Sequence, residues 1–246
     1  MTELAIIGGT GLTNLKTLQI THREVVHTPY GEPSGPLTHG RLNGKQVVFL
    51  ARHGYGHTIP PHKVNYRANL WVLKQIGVTR VIAVAAVGGI RSDMTPGRLA
   101  FPDQLIDYTW SRGHTFFEND LSHVTHIDFT HPYCDELRQV LIRAARTARL
   151  DAAEGGTYGA TQGPRLETAA EINRLERDGC HMVGMTGMPE TALARELGLC
   201  YATCAVVANW AAGRGGDTIE MEDIERYLKI GMDKVRTLLH TVLELI

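Results

Sequence analysis

Apolar residues reach this chain in short, nearly unbroken runs. Residues 4–8 (LAIIG), 46–51 (QVVFLA), 80–87 (RVIAVAAV) and 200–208 (CYATCAVVA) have the length of strands and show no polar alternation. That is the pattern of strands covered on both faces. The stretch 155–161 (GGTYGAT) reads as a further strand. Helical spacing appears between them. In 63–77, Val64, Ala68, Leu70, Trp71, Leu73 and Lys74 follow a helix that Gly77 stops. Residues 134–150 and 167–179 read the same way, and 183–197 predicts strand, short turn and helix, with Pro189 near the first helical position. From 220 to 246 the stripe Met221, Ile224, Leu228, Met232, Val235, Leu239, Val242 predicts a terminal amphipathic helix.

Strands alternating with helices imply an α/β fold with a central, largely parallel sheet flanked by helices. No linker, repeat or low-complexity tract divides the chain, so 1–246 reads as a single domain. The Pro- and Gly-bearing stretches 28–40, 53–62 and 91–132 read as loops over that sheet.

Composition narrows the partners. At 246 residues and 43% hydrophobic the chain can bury a sizeable core. Charged residues make up 21% and the net charge is −1, which gives no field for nucleic acid or an anionic membrane. No apolar run reaches 18 residues, and the start, MTELAIIGGTG, has no charged leader. The expectation is a cytoplasmic protein acting on a small molecule. The cysteines, Cys134, Cys180, Cys200 and Cys204, form no CxxC pair and are expected to be free, buried thiols.

Candidate chemistry gathers where strands end. Residues 6–12 (IIGGTGL) form a strand and a Gly-rich turn; its amides and Thr10 can approach an anion, although a plain tight turn explains it equally. Its spacing is not that of a dinucleotide fingerprint. After the next strand come Arg52, a planar fork suited to phosphate or to a salt bridge, and His53, a second donor. His53 and His57 have the spacing of a helical metal pair. Gly54, Gly56, Pro60 and Pro61 exclude a helix there, so no metal is expected. Ala85 and Ala86 are small enough to expose main chain to a ligand. Glu167 stands near a helix start, where it can serve the dipole or face a ligand. Thr186 sits at the mouth of the helix after it, a natural anion position. Asn209 is a polar side chain at the carboxyl end of an apolar strand, where α/β proteins place ligands.

In order along the chain, IIGGTGL, ARHGYGHTIPPHKVNYRANLW, AAVGGIRSDMTPG, GPRLETAAEI and GMTGMPETALARELGLCYA resemble the trimeric purine nucleoside phosphorylase and methylthioadenosine phosphorylase family. The likeness covers nearly the whole chain. It implies a mixed, partly barrel-like sheet in one α/β domain and a homotrimer, with further pairing of trimers left open. It implies phosphorolysis, in which phosphate attacks C1′ of a nucleoside and frees the purine. Inorganic phosphate would be a co-substrate, with no cofactor. By the same resemblance Thr10, Arg52, His53, Thr186 and the main chain at Ala85 and Ala86 hold phosphate. Ala85 replaces a threonine common in the family, which removes one phosphate hydrogen bond. Met185 lies under the ribose, and His126 reaches the neighbouring subunit's site.

The two ends of the substrate then read separately. Family members acting on 6-aminopurines have aspartates where this chain has Asn209 and Ala211. An amide can donate to N7 without first being protonated, so Asn209 is the expected catalytic residue. Glu167 can accept from the N1–H of a 6-oxopurine, with Leu166 as an apolar wall. Met221 and Ile224 stand where inosine-type members present a histidine to the 5′-hydroxyl, although both also fit as core positions of the last helix. The combination implies a 6-oxopurine nucleoside carrying an apolar 5′-methylthio group. An inosine or guanosine phosphorylase, a methylthioadenosine phosphorylase and a non-catalytic nucleoside-binding module remain alternatives.

Overall fold

The computed structural model describes residues 3–12, 17–119, 121–216 and 218–246. In chain order its elements are β1 (Leu4–Gly8), β2 (Gln19–Glu24), β3 (Leu37–Leu42), β4 (Lys45–Ala51), α1 (Tyr66–Gln75), β5 (Arg80–Gly89), β6 (Leu99–Ala100), β7 (Gln104–Asp107), α2 (Asp135–Thr147), β8 (Ala152–Ala153), β9 (Thr157–Ala160), α3 (Ala169–Arg177), β10 (Met182–Gly184), α4 (Gly187–Glu196), β11 (Cys200–Trp210) and α5 (Met221–Leu245).

The apolar runs make the middle of one mixed sheet. β4, β1, β5 and β11 lie side by side and parallel. Successive side chains point to opposite faces, so each strand feeds two cores. Ala5, Ile7, Val81 and Ala83 pack with Leu70 and Leu73 of α1 and Leu193 of α4. Ile6, Ile82 and Val84 pack with Leu141 of α2 and Val235 and Leu239 of α5. Covering both faces removes the polar alternation, which is why these strands are legible as continuous apolar runs.

The sheet forks at β5. One edge of β5 pairs with β11 along its length. On the other edge β1 pairs only with Arg80–Ala83, and β10 joins, antiparallel, only at Gly88 and Gly89. Residues 84–87 therefore have no strand on that edge. One arm runs from β1 through β4 and β3 to β2, and another from β10 through β9 to β7; β6 and β8 continue from β11.

Two expectations are corrected. The stretches 28–40 and 91–132 are not wholly loop, since β3 begins in the first and β6 and β7 lie in the second. β2 and β7 end the sheet and β3 lies next to β2, so their sequences are more polar (QITHRE, LTHGRL); β6, buried beside β11, is only two residues long. The cysteines are not all free: Cys134 and Cys200 form a disulfide. The Cys134 N–H donates to the Tyr201 carbonyl at 2.8 Å, which draws the start of α2 onto the start of β11. Sixty-six positions of chain separate the two cysteines, so spacing gives no sign of the pair. Cys180 and Cys204 are buried thiols as expected, and burial pushes Cys204 up to about 12.

Candidate active site

A cavity of about 550 Å³ opens at the fork, beside the unpaired stretch of β5. Ligands of α/β proteins bind where strand order diverges beyond carboxyl ends, and this cavity occupies such a point. Thr10 follows β1, Arg52 and His53 follow β4, Ala85 and Ala86 lie on the free edge of β5, and Thr186 follows β10; all line it. The turn after β1 is closed by Leu12 N–H donating to the Gly9 carbonyl at 3.0 Å. A side chain at residue 9 would meet the Val84 carbonyl at 2.6 Å, so glycine is what allows this close approach.

Arg52 is brought to the cavity, but its fork is already used. Its side chain is buried beside an equally buried Glu190. Nε donates to Glu190 Oε2 at 2.6 Å, Nη2 to Oε1 at 2.7 Å, and Nη1 to the Val84 carbonyl at 2.8 Å. The Tyr201 hydroxyl donates a third bond to Glu190 at 2.8 Å. The bidentate face expected for phosphate thus holds a carboxylate, and the ion pair satisfies the Val84 carbonyl that the fork left without a strand partner. Burial opposes the Arg52 charge, yet Glu190 outweighs it and holds its pKa above the ordinary value.

His53 also differs from expectation. Its Nδ1 lies 2.8 Å from the Ile59 carbonyl, which can only accept, so Nδ1 carries the proton. Burial, reinforced by the Arg52 charge, lowers its pKa to about 4. At neutral pH Nε2 is an acceptor, not the second donor, and suits a phosphate oxygen that carries a proton. Thr186 is buried and is the N-cap residue of α4, but its side chain caps no backbone amide. The regular helix begins only after Met188, whose φ of −121° and ψ of 141° are not helical. A non-helical turn therefore separates Thr186 from the helix mouth assigned to it.

The other expected residues meet in the same cavity. Met185, Leu166, Glu167, Asn209, Ala211, Met221 and Ile224 all line it. Asn209 is delivered by a β-bulge: register against β5 shifts between Val207 and Asn209, which re-aims the side chains beyond it. One Nδ2 hydrogen goes to the Trp210 carbonyl at 2.6 Å, leaving the other N–H and the amide oxygen for a ligand. Met185 crosses directly above Gly163, where a Cβ would lie 2.3 Å from its sulfur. Glu167 just precedes α3, whose start is fixed by a capping box between Thr168 and Glu171. Arg165 and the Thr168 amide hold Glu171 down to about 2. His126 is exposed and does not line the cavity of its own chain.

Three supporting residues escape sequence reasoning. Glu190 reads as an ordinary helix residue. Thr161 donates to Glu167 Oε1 at 2.6 Å. Arg112 is buried and clamps the two walls: Nη1 donates to the Met185 and Met188 carbonyls at 2.8 and 2.7 Å, and Nη2 to the Gln162 carbonyl at 2.8 Å. A lone arginine in a predicted loop gives no periodic signal; only its position opposite two strand ends reveals it. Among the described residues one group has metal-ligand chemistry, His22, Glu24 and His39, on the β2–β3 ribbon outside this cavity. Its histidines stack at 4.2 Å, and His39 Nε2 pairs with Glu24 Oε2 at 2.9 Å, so it is explained by its own contacts.

The family model described as the Phosphorylase superfamily matches residues 3–244. The chain belongs to this superfamily. Membership removes the reading as a non-catalytic binding module. Among its superfamily relatives, a "Probable S-methyl-5'-thioinosine phosphorylase" from Pseudomonas syringae pv. tomato is 55% identical over 243 residues, 99% of each chain. A 6-oxopurine nucleoside phosphorylase from Pyrococcus furiosus is 46% identical over 248 residues, 98% of this chain and 92% of that one. The solved methylthioadenosine phosphorylase from Schistosoma mansoni in complex with adenine superposes with a TM-score of 0.95 at 32% identity, covering 100% of this chain and 92% of that one. The sheet, its fork and the helices around it are thus the nucleoside phosphorylase fold. No helix among the described residues is long and apolar enough to cross a membrane.

Proposed function

We propose that the enzyme catalyses phosphorolysis of a 6-oxopurine 5′-methylthionucleoside: phosphate attacks C1′ of 5′-methylthioinosine, releasing hypoxanthine and 5-methylthioribose 1-phosphate. The observation that carries this reading is the joint placement of Asn209 and Glu167 in a cavity whose other wall is Met221, Ile224 and Leu228. The purine gains negative charge as the glycosidic bond breaks. The free N–H of Asn209 is suited to donate to N7 at that moment, and losing a comparable donor costs on the order of 10²–10³-fold in rate. Glu167 accepts from N1–H of an oxopurine, whereas adenine would oppose it with a bare acceptor. Mismatched buried polar groups discriminate by roughly 10⁴-fold.

Phosphate is already an anion and needs positioning rather than a general base. Thr10, Thr186, the free main chain at Ala85 and Ala86, and His53 form its bed. Arg52 supplies charge from beneath and only those N–H groups that Glu190 and Val84 leave. The cavity is open on both sides: Met221 at the 5′ end is 62% and Leu166 on the base side 42% exposed. That openness, with His126 exposed on a loop of its own chain, supports a homotrimer in which the neighbour's His126 closes the site. A cytoplasmic setting belongs to the same reading.

The Pyrococcus furiosus relative favours a second reading, a general inosine and guanosine phosphorylase. Only the 5′ pocket separates the two. Side-by-side phosphorolysis of methylthioinosine, methylthioadenosine, inosine and guanosine tests both, with methylthioinosine expected to be fastest. Preference for methylthioadenosine would refute the roles of Asn209 and Glu167; preference for inosine would refute those of Met221 and Ile224.

A further inference from the structure

Glu167 stands between two cavities. One is the nucleoside site; the other, about 510 Å³, lies on its far side and is lined by Thr161, Gln162, Tyr108 and Trp110. A half-buried carboxylate between two openings has no packing reason to hold one orientation. Its two oxygens are equivalent, and it can rotate. A carboxylate turned away from N1 would lose the bond to an oxopurine and no longer oppose the bare N1 of adenine, which abolishes the distinction between bases.

Thr161 removes that freedom. Its hydroxyl donates to Glu167 Oε1 at 2.6 Å from the far side. The alternative acceptor for this hydroxyl, the Gly184 carbonyl, is 3.3 Å away and already takes the Thr161 N–H at 2.8 Å. The Thr161 carbonyl is in turn held by Arg112 Nη2 at 3.2 Å. Both main-chain groups of Thr161 are therefore anchored, one to the strand end preceding Met185 and one to the arginine that joins the two walls. Its hydroxyl proton has one short destination, the carboxylate.

We propose that Thr161 is the positioning residue that makes Glu167 selective: it fixes one carboxylate oxygen from behind, so that the other faces purine N1 as an acceptor only. The inference rests on the assignment of Glu167 to base reading. Deleting the donor while keeping the shape frees the carboxylate to rotate away from N1, which weakens its bond to an oxopurine and relieves its opposition to adenine.

The test compares the ratio of kcat/KM for methylthioinosine to that for methylthioadenosine in wild type, T161V, T161S and E167Q. T161V is expected to lower the ratio about tenfold or more, the scale of one hydrogen bond to a charged group, chiefly through a raised KM for methylthioinosine. T161S, which keeps the hydroxyl, should hold the ratio within about threefold of wild type by the same argument. T161A serves as the second donor deletion if T161V does not fold. If E167Q collapses the ratio while both donor deletions leave it intact, or if they slow both substrates equally, the inference about Thr161 is overturned and Glu167 keeps its assignment. If wild type prefers methylthioadenosine, or if E167Q leaves the ratio unchanged, base reading by Glu167 is itself wrong and the inference falls with it.

Discussion

Replacing Glu190 by glutamine asks whether Arg52 belongs first to the fold or first to phosphate. The change keeps volume and shape. It removes the charge facing an arginine that is 1% exposed, and it sets an amide donor where Arg52 Nε or Nη2 now donates. Three hydrogen bonds converge on the carboxylate, two from Arg52 and one from Tyr201; glutamine can accept at one oxygen only. Breaking a buried pair from one side leaves an uncompensated charge, at a cost of about 3–5 kcal/mol. For a chain of this size each kcal/mol lowers Tm by roughly 2–4 °C, so E190Q should melt about 6–20 °C below wild type. The assay is thermal and urea unfolding at fixed protein concentration for E190Q, R52M, E190L and R52M/E190L. The cycle should return a coupling of about 2 kcal/mol or more, within the range of contacting residues. A loss under about 1 kcal/mol in E190Q, or a coupling near zero, would show that the pair does not hold the fork closed. The phosphate fork read from sequence would then be restored to Arg52.

Asn209→Ala should lower kcat for methylthioinosine by about 10²–10³-fold with little change in melting temperature, because the side chain makes one described hydrogen bond, to Trp210. Steady-state kinetics beside a melt checks this, and an equal loss of stability would reassign the residue to the bulge. His53 predicts acid sensitivity with a definite sign. Its folded pKa of about 4 lies below the ordinary 6.5, so between those values the unfolded chain takes up a proton that the folded one refuses. Its contribution is fully present above pH 6.5 and is lost as pH falls toward 4, about 3 kcal/mol at most. Urea midpoints at pH 7 and 5 should therefore differ less in His53→Gln than in wild type, and equal differences would refute the neutral, buried imidazole.

The centre of the fold is readable in the sequence for the reason it is stable. β1, β4, β5 and β11 are covered on both faces, and that condition writes itself as uninterrupted apolar residues. β2, β3 and the short strands away from the centre are held by neighbours and turns, so they leave no periodic signature. The site divides along the same line. Asn209, Glu167 and Thr186 could be found because each breaks a pattern, a polar group where a strand or turn delivers it to an end. Their supports could not. Glu190, Thr161 and Arg112 are conventional residues whose effect comes from partners 138, 6 and 73 positions away. Arg52 and His53 line the cavity as expected but offer it different groups, for one physical reason: a sequence shows which donors a loop carries but not which are spent internally. Arg52 gives three of its donors to Glu190 and Val84, and His53 gives its N–H to Ile59. The phosphate bed we propose is then hydroxyls, main chain and one imidazole acceptor, over the charge and remaining N–H groups of Arg52. This bed depends on a rigid frame more than on free charge, so rigidity at Glu190 and Arg112 should govern turnover as strongly as the groups that touch substrate.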